Sequence, residues 1–257
     1  HKLVTKATVE IDLKDLAGAP ADCMVFGCDP SYNAYEEAEM VVNLDATTHP
    51  FRYAGGHIHC SGQAGYGFLK DNASKFMFAK LCDLFIGLPL AYIYDDEDEV
   101  DRRKYYGQAG EMRMQKYPDK TTGVEYRTPS PRIYNNYRLA SMLLGVMRVI
   151  SVNFETMSNA WKKSWEKSLR HAINNCEVSE NMLQTVPGYY TPELLTEIKK
   201  HKYFEKFTIE PVHDYHTAFT EWCGLQFDNA RFHDLMGHTR ENGYYSANAP
   251  FKIHGLH

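Results

Sequence analysis

Three short stretches of the chain alternate charged or titratable side chains with an apolar residue. They read His57-Ile58-His59, Glu111-Met112-Arg113 and Glu125-Tyr126-Arg127. In a β-strand, side chains two positions apart leave the same face about 7 Å from each other, and the residue between them points to the opposite face. The pattern therefore predicts three strands of a sheet with one charged face and one apolar face.

Elsewhere the apolar positions follow a helical period. Residues 71–85 predict an amphipathic helix that begins at Asp71 and stops at Gly87, and the apolar run 88–94 predicts a strand after it. Residues 133–155 are apolar nearly all round, which is typical of a buried helix, and residues 158–175 are amphipathic. We expect the helices to form a layer over the outer face of the sheet.

Several weaker patterns complete the coarse picture. The acidic run 95–99 predicts a solvated loop, because packed like charges repel one another. Residues 24–28 predict a strand, and Thr191-Pro192 predicts the start of a helix. We expect a sheet-rich portion over residues 1–130 and a mainly helical portion of the same domain over residues 131–257.

Composition and charge exclude or disfavour several functional classes of protein. The chain has 257 residues, enough for a sizeable core, and its net charge of -5 without a basic tail disfavours a general nucleic-acid binder. No run approaches the roughly eighteen apolar residues of a membrane span, and the N-terminus lacks the apolar core of a signal peptide. Six cysteines without a Cys-x-x-Cys motif indicate reduced thiols. We expect a soluble intracellular protein without nucleic-acid or membrane partners.

The charged face carries groups that suit phosphate and metal chemistry. A single Glu-x-Arg pair is typical of a surface salt bridge, but three titratable pairs backed by apolar residues favour one concave charged face. Carboxylates and imidazoles suit cations and phosphates, and guanidinium groups bind phosphate or carboxylate in a bidentate manner. Arg102 and Arg103 add cations at the edge, and Gly55 and Gly56 would let a ligand approach the backbone.

Five motifs occur in order along residues 22–150. They are Phe26-Gly27-Cys28-Asp29-Pro30, Arg52-Tyr53-Ala54-Gly55-Gly56-His57-Ile58-His59, Gly87-Leu88-Pro89, Arg102-Arg103-x-x-Tyr106-Gly107-x-Ala109-Gly110-Glu111-x-Arg113 and Gly123-Val124-Glu125-Tyr126-Arg127-Thr128. In this combination the chain resembles the phage-type carboxylate-amine ligases, or amidoligase type 2, of the glutamine synthetase superfamily.

The resemblance implies an α+β fold and a specific reaction. The expected fold is a curved antiparallel sheet of the glutamine synthetase catalytic-domain type, with helices on its outer face and ATP and Mg²⁺ on its concave face. The γ-phosphate would be transferred to a substrate carboxylate, and an amine would then displace phosphate from the acyl phosphate. The substrates would be a small-molecule or peptide carboxylate and an amine. The protein would be a homo-oligomer or a virion component, and it would lie in the host cytoplasm or in the virion.

The resemblance also implies a role for each residue of the charged face. His57, Glu125 and Glu111 would contact metal, and His59, Arg102, Arg103 and Arg113 would contact the nucleotide and its phosphates. Arg127 would bind the substrate carboxylate or acyl phosphate, with Arg113 and Glu111 as further catalytic groups. Replacing Arg127 with alanine is expected to abolish ATP turnover and to leave folding nearly intact.

One departure keeps two other functions open. In the superfamily an earlier strand of the sheet supplies acidic metal ligands, but nothing before His57 supplies a comparable glutamate pair. The first alternative is therefore a non-catalytic viral structural or interaction protein that keeps the ligase fold. The second is a cupin-like metalloenzyme that holds Fe, Mn or Zn with His57, His59 and one glutamate.

Overall fold

The computed structural model describes residues 6–16, 18–21, 30–40, 44–135, 137–179 and 181–182. Helices and antiparallel strands are mixed along these ranges, which confirms the α+β class. In chain order the elements are β1 (Thr8–Glu10), α1 (Leu13–Leu16), β2 (Tyr32–Asn33), β3 (Ala38–Glu39), β4 (Phe51–Tyr53), β5 (Ile58–Gly62), α2 (Asn72–Cys82), α3 (Leu88–Ile93), α4 (Glu97–Arg103), β6 (Glu111–Lys116), β7 (Thr122–Tyr126), α5 (Tyr137–Val152), α6 (Phe154–Asn159) and α7 (Glu166–Asn175).

The larger sheet has five antiparallel strands in the order β3-β2-β6-β7-β5, and β1 pairs with β4 in a separate two-stranded sheet. The register of the larger sheet places Ile58 opposite Tyr126, and Tyr126 opposite Met112. These three side chains are almost completely buried, so they form the apolar face. The prediction that the charged pairs alternate with core residues is therefore confirmed.

The apolar face of the sheet packs against helices α2 and α5. Helix α2 contacts β6 and β7, and α5 contacts β5. The buried residues of these helices and strands belong to one hydrophobic cluster, which includes Val124 from the centre of the sheet. Burial of this continuous apolar area is the main source of stability, and it leaves the opposite face of the sheet for the charged side chains.

Residues Asn72–Ile93 form one continuous helix, so the predicted stop at Gly87 and the predicted strand 88–94 are wrong. Asp71 caps the helix as expected. Between α2 and α3 the segment Asp83–Gly87 widens into a π-turn, which lets Pro89 enter a helix despite lacking an N–H donor. Gly87 serves packing instead, since a Cβ there would lie 2.6 Å from the Tyr126 hydroxyl.

The same helix, Asn72–Ile93, is long and apolar enough to cross a membrane by length and composition. The expectation that the chain has no such run is therefore wrong. However, 94% of the apolar window is buried inside this fold. Packing in the core accounts for the apolar composition of the helix.

Two further predictions need correction. The acidic run 95–99 is not a simple loop: Asp96 caps helix α4 through the Glu99 amide, and the Glu99 side chain is fully buried. The predicted helix 133–155 is divided into a 3-10 turn at Pro131–Asn135 followed by α5 and α6. Similarly, within 158–175 only the second half forms α7, after a 3-10 turn at Lys163–Trp165.

Other predictions fall on residues that the structure does not describe. They are the strand at 24–28 with most of its motif, the helix that begins at Thr191, and His213, His216, His233 and His238, for which the sequence offers no ligand motif. The division of the chain at residue 130 stays a prediction.

Candidate active site

The charged face of the sheet is centred on β7. Glu125 lies opposite His59 of β5 and opposite Arg113 of β6 in the strand register. His57 immediately precedes β5, and Arg127 immediately follows β7. The structure thus brings together six predicted side chains: His57, His59, Glu111, Arg113, Glu125 and Arg127.

Glu125 accepts hydrogen bonds or ion pairs on both carboxylate oxygens. Its Oε1 lies 2.7 Å from His57 Nδ1 and 3.3 Å from Arg127 Nη1, and its Oε2 lies 3.2 Å from Arg113 Nη1 and 2.7 Å from Gln115 Nε2. Burial raises the pKa of Glu125, but the hydrogen bond from His57 and the two guanidinium groups outweigh it and lower the pKa to about 2. Glu125 is therefore an anion throughout the neutral range.

Arg127 links Glu125 to the second carboxylate of the site. Its Nε lies 3.2 Å from Glu111 Oε1, and the side chain of Arg127 is only 1% exposed. Glu111 also accepts a hydrogen bond of 2.5 Å from the Gly107 amide and one of 3.2 Å from Ser31 Oγ. This arrangement fixes Glu111 and Arg127 in place from several elements.

Tyr106 contacts two of the predicted residues, although sequence analysis assigned it no role, as was also the case for Gln115 and Tyr117. Its hydroxyl lies 2.5 Å from His57 Nε2 and accepts a hydrogen bond of 2.7 Å from Arg127 Nη2, whose guanidinium lies 4.9 Å from the Tyr106 ring. Tyr106 belongs to one of the five motifs, but nothing local indicates that its hydroxyl reaches His57. Gly55 makes the contact feasible, because a Cβ at this position would overlap the His57 ring.

His59 occupies the open part of the same face. It is exposed, and its Nδ1 lies 3.3 Å from the Tyr117 hydroxyl. Partial desolvation lowers the pKa of His59, and the nearby guanidinium of Arg113 lowers it further, although Glu125 acts in the opposite direction. A neutral imidazole at this edge can accept or donate a hydrogen bond without adding charge.

Arg102 and Arg103 do not reach the open face. Arg102 is fully buried, and its guanidinium donates to the carbonyl oxygens of Ala54, Thr128 and Pro129 at 2.7, 3.0 and 2.9 Å. Burial lowers the pKa of Arg102 to about 10, so the group remains charged. Arg103 is also buried, and it donates to the Gly107 carbonyl at 3.0 Å. Both guanidinium groups thus bind backbone carbonyl oxygens away from the open face, and their expected contact with nucleotide stays a prediction.

The described residues do not by themselves form a magnesium site. Among them, no group of three or more His, Cys, Asp or Glu side chains could hold a metal ion. The carboxylates of Glu111 and Glu125 are both ion-paired with Arg127. Because Mg²⁺ is commonly held by one or two carboxylates together with substrate phosphates, the metal roles expected for His57, Glu111 and Glu125 stay predictions. The exposed imidazole of His59 and the partly exposed guanidinium of Arg113 are groups that suit an anion.

Asp83 supports the site from the opposite side of the sheet. Its Oδ1 accepts hydrogen bonds from Tyr126 Oη at 2.7 Å and Thr128 Oγ1 at 3.3 Å, the two residues that flank Arg127. Burial raises the pKa of Asp83 to about 6, although these hydrogen bonds act in the opposite direction. Asp83 thus holds the end of β7 while remaining easy to protonate.

This raised pKa predicts a pH dependence of stability. Because the folded state binds the Asp83 proton more tightly than the unfolded state, the contribution of Asp83 to the free energy of unfolding should fall as pH rises from 3.8 to about 6. The loss should be about 3 kcal/mol, the equivalent of the pKa difference. Asp83→Asn removes this titration, so its stability relative to the wild type should improve over that window. Urea unfolding at several pH values measures the difference, with the exposed Asp15→Asn as control; parallel curves for wild type and Asp83→Asn would contradict it.

Comparison with known protein families matches residues 32–215 to a family model described as phage phiEco32-like COOH.NH2 ligase-type 2. The match covers more than half of the 257 residues and includes all the predicted site residues. It also extends beyond residue 150, where the resemblance seen in the motifs ends. No curated protein and no solved structure matches the chain.

Proposed function

Because the chain belongs to the phage phiEco32-like COOH.NH2 ligase type 2 family, we propose that it is an ATP-dependent carboxylate-amine ligase that works through an acyl phosphate. The suspected family is confirmed by the match, and its name indicates a ligase of phage type. The observation that carries the finer proposal is the convergence of His57, Arg113 and Arg127 around the ionised Glu125 on one face of the sheet.

The depth of these groups suggests how they would divide the work. The side chains of His57 and Arg113 are 25% and 16% exposed, and His59 lies beside them in the open. Arg113 and His59 would meet the phosphates of a bound nucleotide, whereas both ring nitrogens of His57 are engaged by Glu125 and Tyr106. Arg127 lies deeper, at 1% exposure, where a guanidinium interacts more strongly with a developing negative charge because water is excluded.

The reaction would then proceed in two transfers. The substrate carboxylate oxygen attacks the γ-phosphorus of ATP, supplied as its magnesium complex, and ADP leaves. The amine attacks the carbonyl carbon of the acyl phosphate, the carbon–nitrogen bond forms, and phosphate leaves with the electrons of the carbon–oxygen bond. Arg127 and Arg113 would stabilise charge on the transferring phosphoryl group and on the carbonyl oxygen. We also propose that the five-stranded antiparallel sheet is the curved sheet of the glutamine synthetase type.

One observation favours the non-catalytic alternative. The described residues lack a three-ligand group for a metal ion, and a descendant that had lost catalysis could have lost such ligands. The cupin-like alternative gains no such support, because its proposed ligands His57, His59 and a glutamate do not form a metal-binding group here. We also propose that the substrates are a small-molecule or peptide carboxylate and an amine. The location in the host cytoplasm or the virion and the homo-oligomeric state are proposals of the same kind.

The proposal predicts ATP-dependent capture of an acyl phosphate by hydroxylamine. The full chain is incubated with MgATP, hydroxylamine and a panel of amino acids, dipeptides and tripeptides as carboxylates. We expect at least one carboxylate to give a hydroxamate, detected as its ferric complex, with an equal amount of ADP. Arg113→Met should lose this activity, and Arg170→Met, which removes a partly exposed arginine paired with Glu36, should keep it. Failure of the wild type with every carboxylate, together with no stabilisation by MgATP, would favour the non-catalytic alternative.

A further inference from the structure

We infer that the phenol oxygen of Tyr106, after passing its own proton to His57, is the catalytic base that takes a proton from the attacking amine. The inference rests on the proposed ligase function and deepens it. Its basis is a continuous series of hydrogen-bonding atoms: Glu125 Oε1 to His57 Nδ1 at 2.7 Å, His57 Nε2 to Tyr106 Oη at 2.5 Å, and Tyr106 Oη to Arg127 Nη2 at 2.7 Å.

The inferred step starts from a neutral imidazole at His57, and the roles of its two nitrogens then follow. Glu125 is ionised and can only accept, so the imidazole proton lies on Nδ1. His57 Nε2 then carries a lone pair and must accept the proton of the Tyr106 hydroxyl. Arg127 has no acceptor, so it donates to the phenol oxygen. Tyr106 therefore donates to a base and accepts from a cation.

This arrangement prepares the phenol oxygen to lose and regain a proton. When the proton moves to His57 Nε2, the imidazolium that forms is stabilised by the carboxylate of Glu125. The negative charge left on the Tyr106 oxygen is stabilised by the guanidinium of Arg127, because charge-assisted hydrogen bonds are stronger than neutral ones. His57 thus lies between the hydroxyl that gives up the proton and the carboxylate that stabilises the imidazolium. Proton-transfer sites commonly use this arrangement.

The surroundings hold this series in place and leave its outer edge accessible. The backbone amide of Tyr106 donates to the Arg102 carbonyl at 2.8 Å, and the buried Arg102 guanidinium lies 5.3 Å from the Tyr106 ring. Gly107 turns the chain in the left-handed conformation, with φ of 72°, directly after Tyr106. Tyr106 itself is half-buried and His57 is 25% exposed, so both are partly accessible from solvent.

The proposed step balances in protons and bonds. The Tyr106 proton first moves to His57 Nε2, which leaves a phenolate and an imidazolium. As the amine nitrogen forms its bond to the carbonyl carbon, one N–H proton moves to the phenolate, and the carbon–oxygen bond to phosphate breaks. The imidazolium then releases its proton to water or to the departing phosphate. The products are an amide, inorganic phosphate and one released proton, and Tyr106, His57 and Glu125 return to their starting states.

The kinetic test compares two nucleophiles in Tyr106→Phe, with Tyr105→Phe as the matched control. Tyr105 is exposed and stacks on Tyr53, outside the proton-transfer series. With a primary alkylamine, Tyr106→Phe should lower kcat about 100-fold, a typical contribution of a general base. With hydroxylamine, which is largely unprotonated and strongly nucleophilic at neutral pH, the rate should be nearly unchanged. Equal losses with both nucleophiles, or no loss with either, would overturn the inference.

A second measurement is independent of turnover. Nitrogen-15 NMR of the full chain reports the tautomer of His57, whose signals are assigned with His57→Gln. We expect the proton on Nδ1 and a hydrogen-bonded Nε2 that shifts in Tyr106→Phe and stays in place in Tyr105→Phe. A proton on Nε2 would overturn the inference whatever the activity. If the wild type makes no hydroxamate, both the proposed function and the catalytic role of Tyr106 are wrong. The NMR result still shows whether the hydrogen bonds of His57 were assigned correctly.

Discussion

Replacing Arg127 with alanine is expected to abolish hydroxamate formation and to lower the free energy of unfolding by about 3–5 kcal/mol. The large effect on stability follows from burial, because Arg127 is 1% exposed and compensates the charges of both Glu111 and Glu125. Without the guanidinium, the two buried carboxylates would lose the positive charge that compensates both of them. This result would differ from the expectation, drawn from the sequence, that folding stays nearly intact.

Arg127→Lys separates the catalytic effect from the effect on stability. Lysine keeps the positive charge but not the planar fork that contacts Glu111, Glu125 and Tyr106 together. We expect it to recover a large part of the lost stability and little of the activity. Urea unfolding and the hydroxamate assay measure the two quantities on the same preparations. An Arg127→Ala protein that is as stable as the wild type would show that the two ion pairs contribute nothing to folding.

Replacing Arg102 with methionine is expected to destabilise the protein by about 3–5 kcal/mol through the loss of its buried hydrogen bonds. Methionine retains most of the apolar stem but leaves the carbonyl oxygens of Ala54, Thr128 and Pro129 without their guanidinium donors. An unsatisfied buried carbonyl costs about 1–3 kcal/mol, and partial relaxation or water entry should reduce the sum. Thermal or urea unfolding measures the change.

Arg113→Met is the matched comparison for Arg102→Met. Arg113 is partly exposed and lies on the charged face, so its replacement should change stability by less than about 1.5 kcal/mol and should weaken binding of a non-hydrolysable ATP analogue. Calorimetric titration at a temperature where each variant is folded gives the affinity. A large loss of affinity in folded Arg102→Met with no loss in Arg113→Met would reverse the roles that we assign to these two arginines.

The charged face could be predicted from the sequence because it depends on local geometry. Alternation along a strand determines which side chains share a face, so His59, Arg113 and Glu125 fall on one side once their segments are strands. The pairing of β5, β6 and β7 then places these residues in adjacent positions. The apolar residues between them, such as Met112, determine which face the core covers.

The remaining features depend on contacts between distant parts of the chain. Gly87 follows a helical pattern and would ordinarily indicate a helix end, but here it accommodates the Tyr126 hydroxyl inside a longer helix. Arginine is usually a surface residue, yet Arg102 is buried because distant carbonyl oxygens, including those of Thr128 and Pro129 after β7, accept its hydrogen bonds. Tyr106 contacts His57 although the two residues are 49 positions apart in the sequence. No local pattern contains this information.

Transfer of oxygen from the carboxylate to phosphate tests the central claim most directly. A carboxylate that supports hydroxamate formation is labelled with ¹⁸O, and the inorganic phosphate released by the full chain with MgATP is examined by mass spectrometry. Attack of the carboxylate on the γ-phosphorus predicts one ¹⁸O atom in each phosphate molecule. Unlabelled phosphate, or label found in AMP instead, would contradict the acyl-phosphate mechanism proposed for this site.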